Sequence, residues 1–379
     1  MDTIIITGGL GFIGVNLAQY FASQGYHVIC IDNLSRPGPN YVQSLDQLPI
    51  RHFYMSDKSE NLPDLSAFPF ILQYMRKNFP TVEIYLEDII NAAAVKDIIT
   101  PSNPQMIIHA AGQTSAIDSY YDPISDFSAN SVGLINVLEA ARHCKCLPIF
   151  LYLSTNKVYG TKINEALIRE NVDRFELVSP ASGFSEIVGV DQTSHTPYGV
   201  SKLVGDFYTQ EYAYAFGFPA GIFRMSCIYG PQQFGIEGQG WISYLIIQAL
   251  KHQPITIFGS GKQVRDVLYI SDLVNLVEKF FKKLQSTPNS HRKREAYLFN
   301  VGGGINNTLS LRELTYLIAQ ELQEPLHIEY EKSRLGDQKV FISDISKVSR
   351  VLLWKPKISP KEGVRQLIDW TRSHLNEFK

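Results

Sequence analysis

Short apolar runs recur through the first half of the chain: Thr3–Thr7, His27–Ile31, Val82–Leu86, Met106–Ala110 and Ile149–Ser154. They are nearly free of polar alternation, which predicts strands covered on both faces. Segments of helical length separate them, beginning with Val15–Ser23, so successive strands are expected to run parallel through crossovers. The pattern predicts an α/β chain built on a doubly wound parallel sheet, with ligands at the carboxyl ends of its strands.

One stretch breaks the rhythm. Tyr41–Phe70 contains Leu48-Pro49, Leu62-Pro63-Asp64 and Phe68-Pro69 ahead of the helix-like Ile71–Asn78, and it reads as an insertion. It is too apolar for a free linker; a surface loop packed on its host, a lid and a contact between copies all fit. After Lys202 the pattern loosens into a strand at Ala220–Met225, a Gly-rich stretch through Gly240, a strand at Ile255–Phe258 and a helix at Asp272–Leu284. This part is expected to supply substrate contacts. Ser286–Glu295, with Arg292-Lys293-Arg294, reads as a solvated loop.

The 379 residues suffice for one large domain and a smaller interleaved one, and the net charge of -2 offers no general attraction to nucleic acid or an anionic membrane surface. The expectation is no nucleic-acid partner and no membrane partner. No apolar run reaches the roughly 20 residues of a spanning helix, and Met1 leads into a strand without a basic leader, so a cytoplasmic location is expected. Four cysteines are too few and scattered for a disulfide framework. Cys144 and Cys146 form a Cys-x-Cys pair without further ligands nearby, and no metal site is expected.

Chemistry enters with Thr7-Gly8-Gly9-Leu10-Gly11-Phe12-Ile13-Gly14, which leaves the first strand and opens the first helix. Gly9, Gly11 and Gly14 fit Gly-x-Gly-x-x-Gly, while Gly8, Gly11 and Gly14 fit Gly-x-x-Gly-x-x-Gly. Either spacing brings backbone amides and a helix N-terminus to a pyrophosphate, the Rossmann arrangement, with Phe12 and Ile13 in the same cradle. Asp32 follows the second strand, where a carboxylate accepts from the adenosine ribose hydroxyls and repels a 2′-phosphate. NAD is therefore expected over NADP. Asn33, Ser35 and Arg36 continue this wall; Arg36 could take a phosphate, stack on adenine or stay in solvent. Asp88-Ile89 either borders adenine or caps a helix. Ala110-Ala111-Gly112-Gln113 puts small residues where a cofactor backbone could pass closely.

Tyr198 and Lys202 stand four residues apart, one turn apart on one helix face. With Thr155 at a strand end they form a proton-handling trio suited to alcohol oxidation, Tyr198 and Lys202 also bordering the cofactor. A sugar dehydratase needs ionisable carboxylates after Thr155 to move a proton and expel water. This chain has Asn156 and Lys157 there, which points to hydride transfer without elimination.

These motifs, over roughly residues 1–350 apart from the insertion, resemble the extended short-chain dehydrogenase/reductase family, in its NAD-dependent epimerase/dehydratase branch. Asp32-Asn33-Leu34-Ser35-Arg36, His109-Ala110-Ala111-Gly112-Gln113, Ser154 through Gly160, His195 through Lys202, Gly238-Gln239-Gly240-Trp241 and Gly261 through Val267 make the chain similar to its CDP-paratose 2-epimerase group, also called CDP-tyvelose epimerase. The resemblance implies tightly held NAD, a nucleotide-diphosphate sugar that is CDP-linked, a homo-oligomer and a place in carbohydrate biosynthesis, that of lipopolysaccharide. It implies epimerisation at sugar C2: Tyr198 takes the hydroxyl proton, Thr155 places the reacting oxygen, Lys202 favours the phenolate, and hydride leaves and returns to the opposite face. Residues 1–225, completed by about 265–302, would hold NAD; about 226–264 and 303–379 would form the substrate-binding lobe. Asn156 would orient the sugar; Lys157 would contact it or sit at the sheet edge. Gln239 and Trp241 would border base or sugar, and Arg265 and Arg334 would clamp the diphosphate or pair at the surface. A 4-epimerase, a 4,6-dehydratase and a non-catalytic NAD-binding regulator are the alternatives.

Overall fold

The three consecutive isoleucines of the Thr3–Thr7 strand divide between two cores: Ile4 and Ile6 pack with Val15, Phe21 and Phe281, Ile5 with Val95, Leu134 and Val137. Side chains alternate along a strand, so an unbroken apolar run needs a cover on each face. Helices Phe12–Ser23 and Ile270–Ser286 contribute to one cover, Ala92–Ser102 and Gly133–Arg142 to the other. The computed structural model describes residues 2–36, 41–45, 51–54, 69–288, 294–333 and 338–377. Much of the expected insertion, including Leu48-Pro49, Leu62-Pro63-Asp64 and Phe68, lies outside the described residues, as do Arg292, Lys293 and Arg334.

Among the described residues eight strands form the large sheet, in the order Tyr297–Val301, Ala220–Met225, Ile149–Thr155, Met106–His109, Thr3–Thr7, His27–Asp32, Glu83–Leu86 and His52–Tyr54. Every neighbouring pair is parallel except the last. That antiparallel edge strand lies inside the expected insertion; three residues carry too little pattern to announce it. The chain builds outward from Thr3–Thr7 through His27–Asp32 and Glu83–Leu86, then returns to its other side with Met106–His109. The reversal opens a crevice between Thr7 and His109 at the carboxyl ends, where a doubly wound sheet binds ligands.

Smaller, separate sheets accompany this one among the described residues. Val264–Tyr269 pairs with Cys227–Tyr229, Thr308–Ser310 and Val340–Phe341, while Ile255–Phe258 pairs with Ile328–Glu331. Among the described residues, no helix is long and apolar enough to cross a membrane, and no group of three or more His, Cys, Asp or Glu is placed to hold a metal ion. All four cysteines are free thiols, with Cys144 buried and Cys146 exposed.

Candidate active site

A cavity of about 930 Å³ occupies the crevice. Gly8, Gly11, Phe12, Ile13 and Gly14 line it; Gly9 does not. Gly8 adopts φ 67°, and a Cβ there would lie 2.7 Å from Ala111 N; a Cβ on Gly14 would lie 2.0 Å from Gly8 O, and one on Gly9 would strike Cys30 at 2.6 Å. Packing thus demands glycine at these three positions. At Gly11 a Cβ would meet only Gly8 O, at 3.3 Å. Gly11 is the N-cap of the Phe12–Ser23 helix, which has no side-chain cap, so the amides of its first turn are open to an anion.

Asp32 stands across from this turn. Its carboxylate oxygens accept the amides of Leu10 at 2.9 Å and Leu34 at 2.8 Å, and each keeps a lone pair for a ribose hydroxyl. Burial pushes its carboxyl up, opposed by those amides and by Arg36. Arg36 lines the outer wall, donates to Phe234 O at 3.4 Å and is lowered by burial to about 10. Asn33 donates to Asp88 at 2.8 Å, and Asp88 accepts Ile90 N–H at 2.9 Å, a turn-capping role alongside its place on the wall. Ser35, Ile89, Ala110, Ala111 and Gln113 line the same cavity. An uncapped helix start, a carboxylate placed to accept from ribose hydroxyls and small residues along the path between them fit NAD.

The helix Pro197–Phe216 carries the other end. Thr196 caps it by accepting Gly199 N–H at 3.0 Å, Pro197 takes its first position, and Gly217 ends it in the left-handed conformation. The face turned inward is Tyr198, Ser201, Lys202, Gly205, Asp206 and Thr209, a polar stripe where an ordinary helix would bury leucines. Tyr198 lines the cavity with Thr155. Burial pushes the Tyr198 phenol up to about 12; Thr155 opposes the shift and Asp126 adds to it. Lys202 lies behind the cavity wall, donating to Leu153 O at 2.8 Å with its ammonium 4.3 Å from the Tyr152 ring centroid. Burial lowers it to about 8, offset by Asp206 and Asp126. The arrangement brings a phenol, a hydroxyl and a buried cation to the end of a dinucleotide-sized cleft.

The profile of the NAD dependent epimerase/dehydratase family matches residues 4–302. The chain belongs to that family. It is 35% identical to a CDP-paratose 2-epimerase from Salmonella typhi over 98% of this chain and 99% of that protein, and 29% identical to a putative UDP-glucose 4-epimerase from Methanocaldococcus jannaschii over 98% and 99%. Among solved structures, a UDP-glucuronic acid 4-epimerase from Bacillus cereus, complexed with UDP-glucuronic acid and NAD, superposes with a TM-score of 0.74 at 25% identity, covering 98% of this chain and 99% of that one. The protein is an NAD-dependent enzyme of nucleotide-sugar epimerase/dehydratase type.

In this epimerase/dehydratase the end of the cavity beyond Tyr198 is assembled from distant segments. Asn156, Lys157, Gln239 and Trp241 line the cavity; Gln239 donates to Thr114, and Trp241 donates to Cys227 Sγ at 3.3 Å. Arg265 does not line it, but its charge and that of Lys157 reach the Cys227 thiol in the wall. Arg334 lies outside the described residues. Three participants escape a reading of sequence alone. Gln338, 2% exposed, accepts from Asn156. Asp126, buried, accepts from Ser201 at 2.6 Å and Asn130 at 3.1 Å. His109 pairs with Thr7 at 2.9 Å and is held down to about 3 by burial and by Lys202. The only signal for any of them is Ser201, Gly205 and Asp206 at helical spacing on the face of Tyr198.

Proposed function

We propose that this protein inverts carbon 2 of a CDP-linked 3,6-dideoxyhexose, converting CDP-paratose into CDP-tyvelose. The observation that carries the reading is Asn156, buried beside Thr155: an amide can orient a sugar but cannot act as the carboxylic acid that expulsion of water needs. The full-length similarity to a CDP-paratose 2-epimerase supports the same substrate.

In this mechanism the Tyr198 phenolate accepts the C2 hydroxyl proton and returns it after inversion, and Thr155 hydrogen-bonds the reacting oxygen. Lys202 keeps positive charge near the site. Bound NAD supplies the hydride acceptor and a cationic ring that favours the phenolate. Carbon 3 of such a sugar bears no hydroxyl, so a 2-keto sugar can present its other face without losing water. Gln239, Trp241 and Arg265 would hold the nucleotide portion, Arg265 through its charge at the cavity wall. A homo-oligomer is part of the proposal; exposed Tyr121 and Ile124 lie beside the Pro197–Phe216 helix with its exposed Phe207 and Tyr214, an apolar face suited to a second copy. We also place the enzyme in the cytoplasm.

Proton NMR of CDP-paratose incubated with the enzyme in heavy water tests the reading. CDP-tyvelose is expected, without solvent deuterium at C2. No conversion by folded, NAD-loaded protein would reject this substrate. The 4-epimerase relatives favour a second reading: deuterium at C4 rather than C2 would then slow turnover.

A further inference from the structure

Residues 231–234 follow the strand Cys227–Tyr229, yet both ends of this short segment are fastened by residues from the start of the chain. Asn16, on the first helix, donates through Nδ2 to Phe12 O at 2.8 Å and to Pro231 O at 3.1 Å, across 215 positions of sequence. Arg36, in the cavity wall with Asp32, donates to Phe234 O at 3.4 Å. The Phe234 ring, 7% exposed, stands edge-on to Phe70 at 5.8 Å and to Trp370 at 5.9 Å, the arrangement aromatic pairs favour. Phe70 is the last residue of the expected insertion and opens the helix Phe70–Asn78. Between these fastenings Gln232 and Gln233 line the cavity. Gln233 is anchored through Nε2, which donates to Ile228 O at 3.1 Å. Gln232 adopts φ 69°, a left-handed backbone that residues other than glycine take at a cost. It is 4% exposed, and its Oε1 is buried without a hydrogen-bond partner among the described residues. A buried amide left unpaired is costly, and Phe12, Asp32 and Arg36 in the same wall point to NAD as the group that satisfies it.

We propose that residues 231–234 form a strap across bound NAD, clipped down by Asn16, Arg36 and Phe70, and that Gln232 hydrogen-bonds the adenosine diphosphate half of NAD through its side-chain amide. The proposal rests on the reading of Asp32 as the acceptor of the adenosine ribose hydroxyls. Gln232 touches the cofactor; Phe70 is a positioning residue that acts through the Phe234 ring. In the proposed epimerisation hydride leaves and returns within one turnover, so NAD has no need to exchange between turnovers. A strap that must part from Phe70 before NAD departs slows release without entering the chemistry.

The test follows cofactor exchange. Full-length holoenzyme is mixed with excess NAD deuterated on its nicotinamide ring, and replacement of the bound NAD is timed by mass spectrometry. Gln232→Leu and Phe70→Ala are each expected to exchange roughly three- to tenfold faster than wild type, the worth of one hydrogen bond or one ring contact. Phe70→Tyr keeps a ring and is expected to restore the slow rate. The double variant should be no faster than the faster single one, because a lifted strap carries Gln232 with it. Gln232→Gly suits the left-handed backbone and serves where Gln232→Leu does not fold; it too is expected to exchange faster. A folded Gln232→Leu or Gln232→Gly with the wild-type rate overturns the proposal, as do effects of Phe70→Ala and Gln232→Leu that multiply. Separately, an Asp32→Ala holoenzyme that exchanges no faster than wild type would remove the reading of the adenosine end itself, whatever the strap variants show.

Discussion

The two ends of the cavity are built from different materials. At the nucleotide end, Asp32 is met by the backbone amides of Leu10 and Leu34, and the remaining shape comes from glycines that bring main chain close to main chain. At the chemical end, buried side chains satisfy one another across the helix and sheet: Ser201 donates to Asp126 at 2.6 Å, Arg224 Nε to Asp206 at 2.6 Å, and Lys202 to Leu153 O at 2.8 Å. Backbone recognition of a dinucleotide is local and tolerates change in the side chains around it. A set of buried charges is different, because each member sets the protonation of the others. The chemical end should therefore fail singly and severely, the nucleotide end by degrees.

The largest expected effect separates the two ends outright. In the proposed mechanism Tyr198→Phe removes the proton carrier and little else, so the proposed turnover of CDP-paratose should fall about 10²- to 10⁴-fold while calorimetric NAD affinity stays within a few-fold of wild type. A parallel loss of NAD affinity would mean that the ends are not independent. Next comes Asp206→Asn, which leaves Arg224 buried opposite a neutral group; both partners of this pair are almost wholly inaccessible. Removing one charge of such a pair destabilises by about 3–5 kcal/mol, to be read from denaturant unfolding. A loss below about 1 kcal/mol would show that water reaches Arg224 and that the chemical end is less tightly coupled than its geometry implies.

The same division governs how much could be read from sequence. The strands beginning at Thr3, His27, Met106 and Ile149 are legible because their apolar runs are local facts, and the loop from Thr7 to Gly14 with Asp32 is legible because its chemistry is confined to one turn and one strand end. The first helix begins at Phe12 rather than at Val15, since Gly11 supplies the cap without a polar side chain to mark it. Gln338 and His109 were not legible. A glutamine 182 residues from Asn156 becomes its partner only through the tertiary fold. His109 ends a strand as any polar residue might; its burial beside Lys202 is a tertiary outcome.

Smaller effects sharpen the contrast within the nucleotide end. In Gly14→Ala the new Cβ would lie 2.0 Å from Gly8 O, a backbone atom, so the loop must shift and the fold should lose about 1–3 kcal/mol. In Gly11→Ala the nearest such atom is 3.3 Å away, and the backbone at φ -73° suits alanine. Stability should then fall by about 1 kcal/mol or less, while NAD affinity is expected to fall about tenfold, since in the proposed binding mode the methyl group meets the pyrophosphate. Equal stability losses in the two variants would refute the assignment of Gly11 to the ligand.

The smallest expected effect concerns His109, where the two ends meet between Thr7 and Lys202. Burial, reinforced by Lys202, lowers this imidazole from its ordinary 6.5 to about 3, so between those values the unfolded chain binds the proton and the folded chain does not. Stability from this group is complete above pH 6.5 and declines as pH falls toward 3, by about 1 kcal/mol between pH 6.5 and pH 5.5. His109→Asn can still meet the Thr7 hydroxyl but does not titrate. Its unfolding free energy should fall less steeply than wild type over that interval, by the same 1 kcal/mol, in paired urea titrations at the two pH values. Parallel slopes would mean that His109 is protonated in the folded protein, and a cation there would repel Lys202 and push its ammonium still further below its ordinary range.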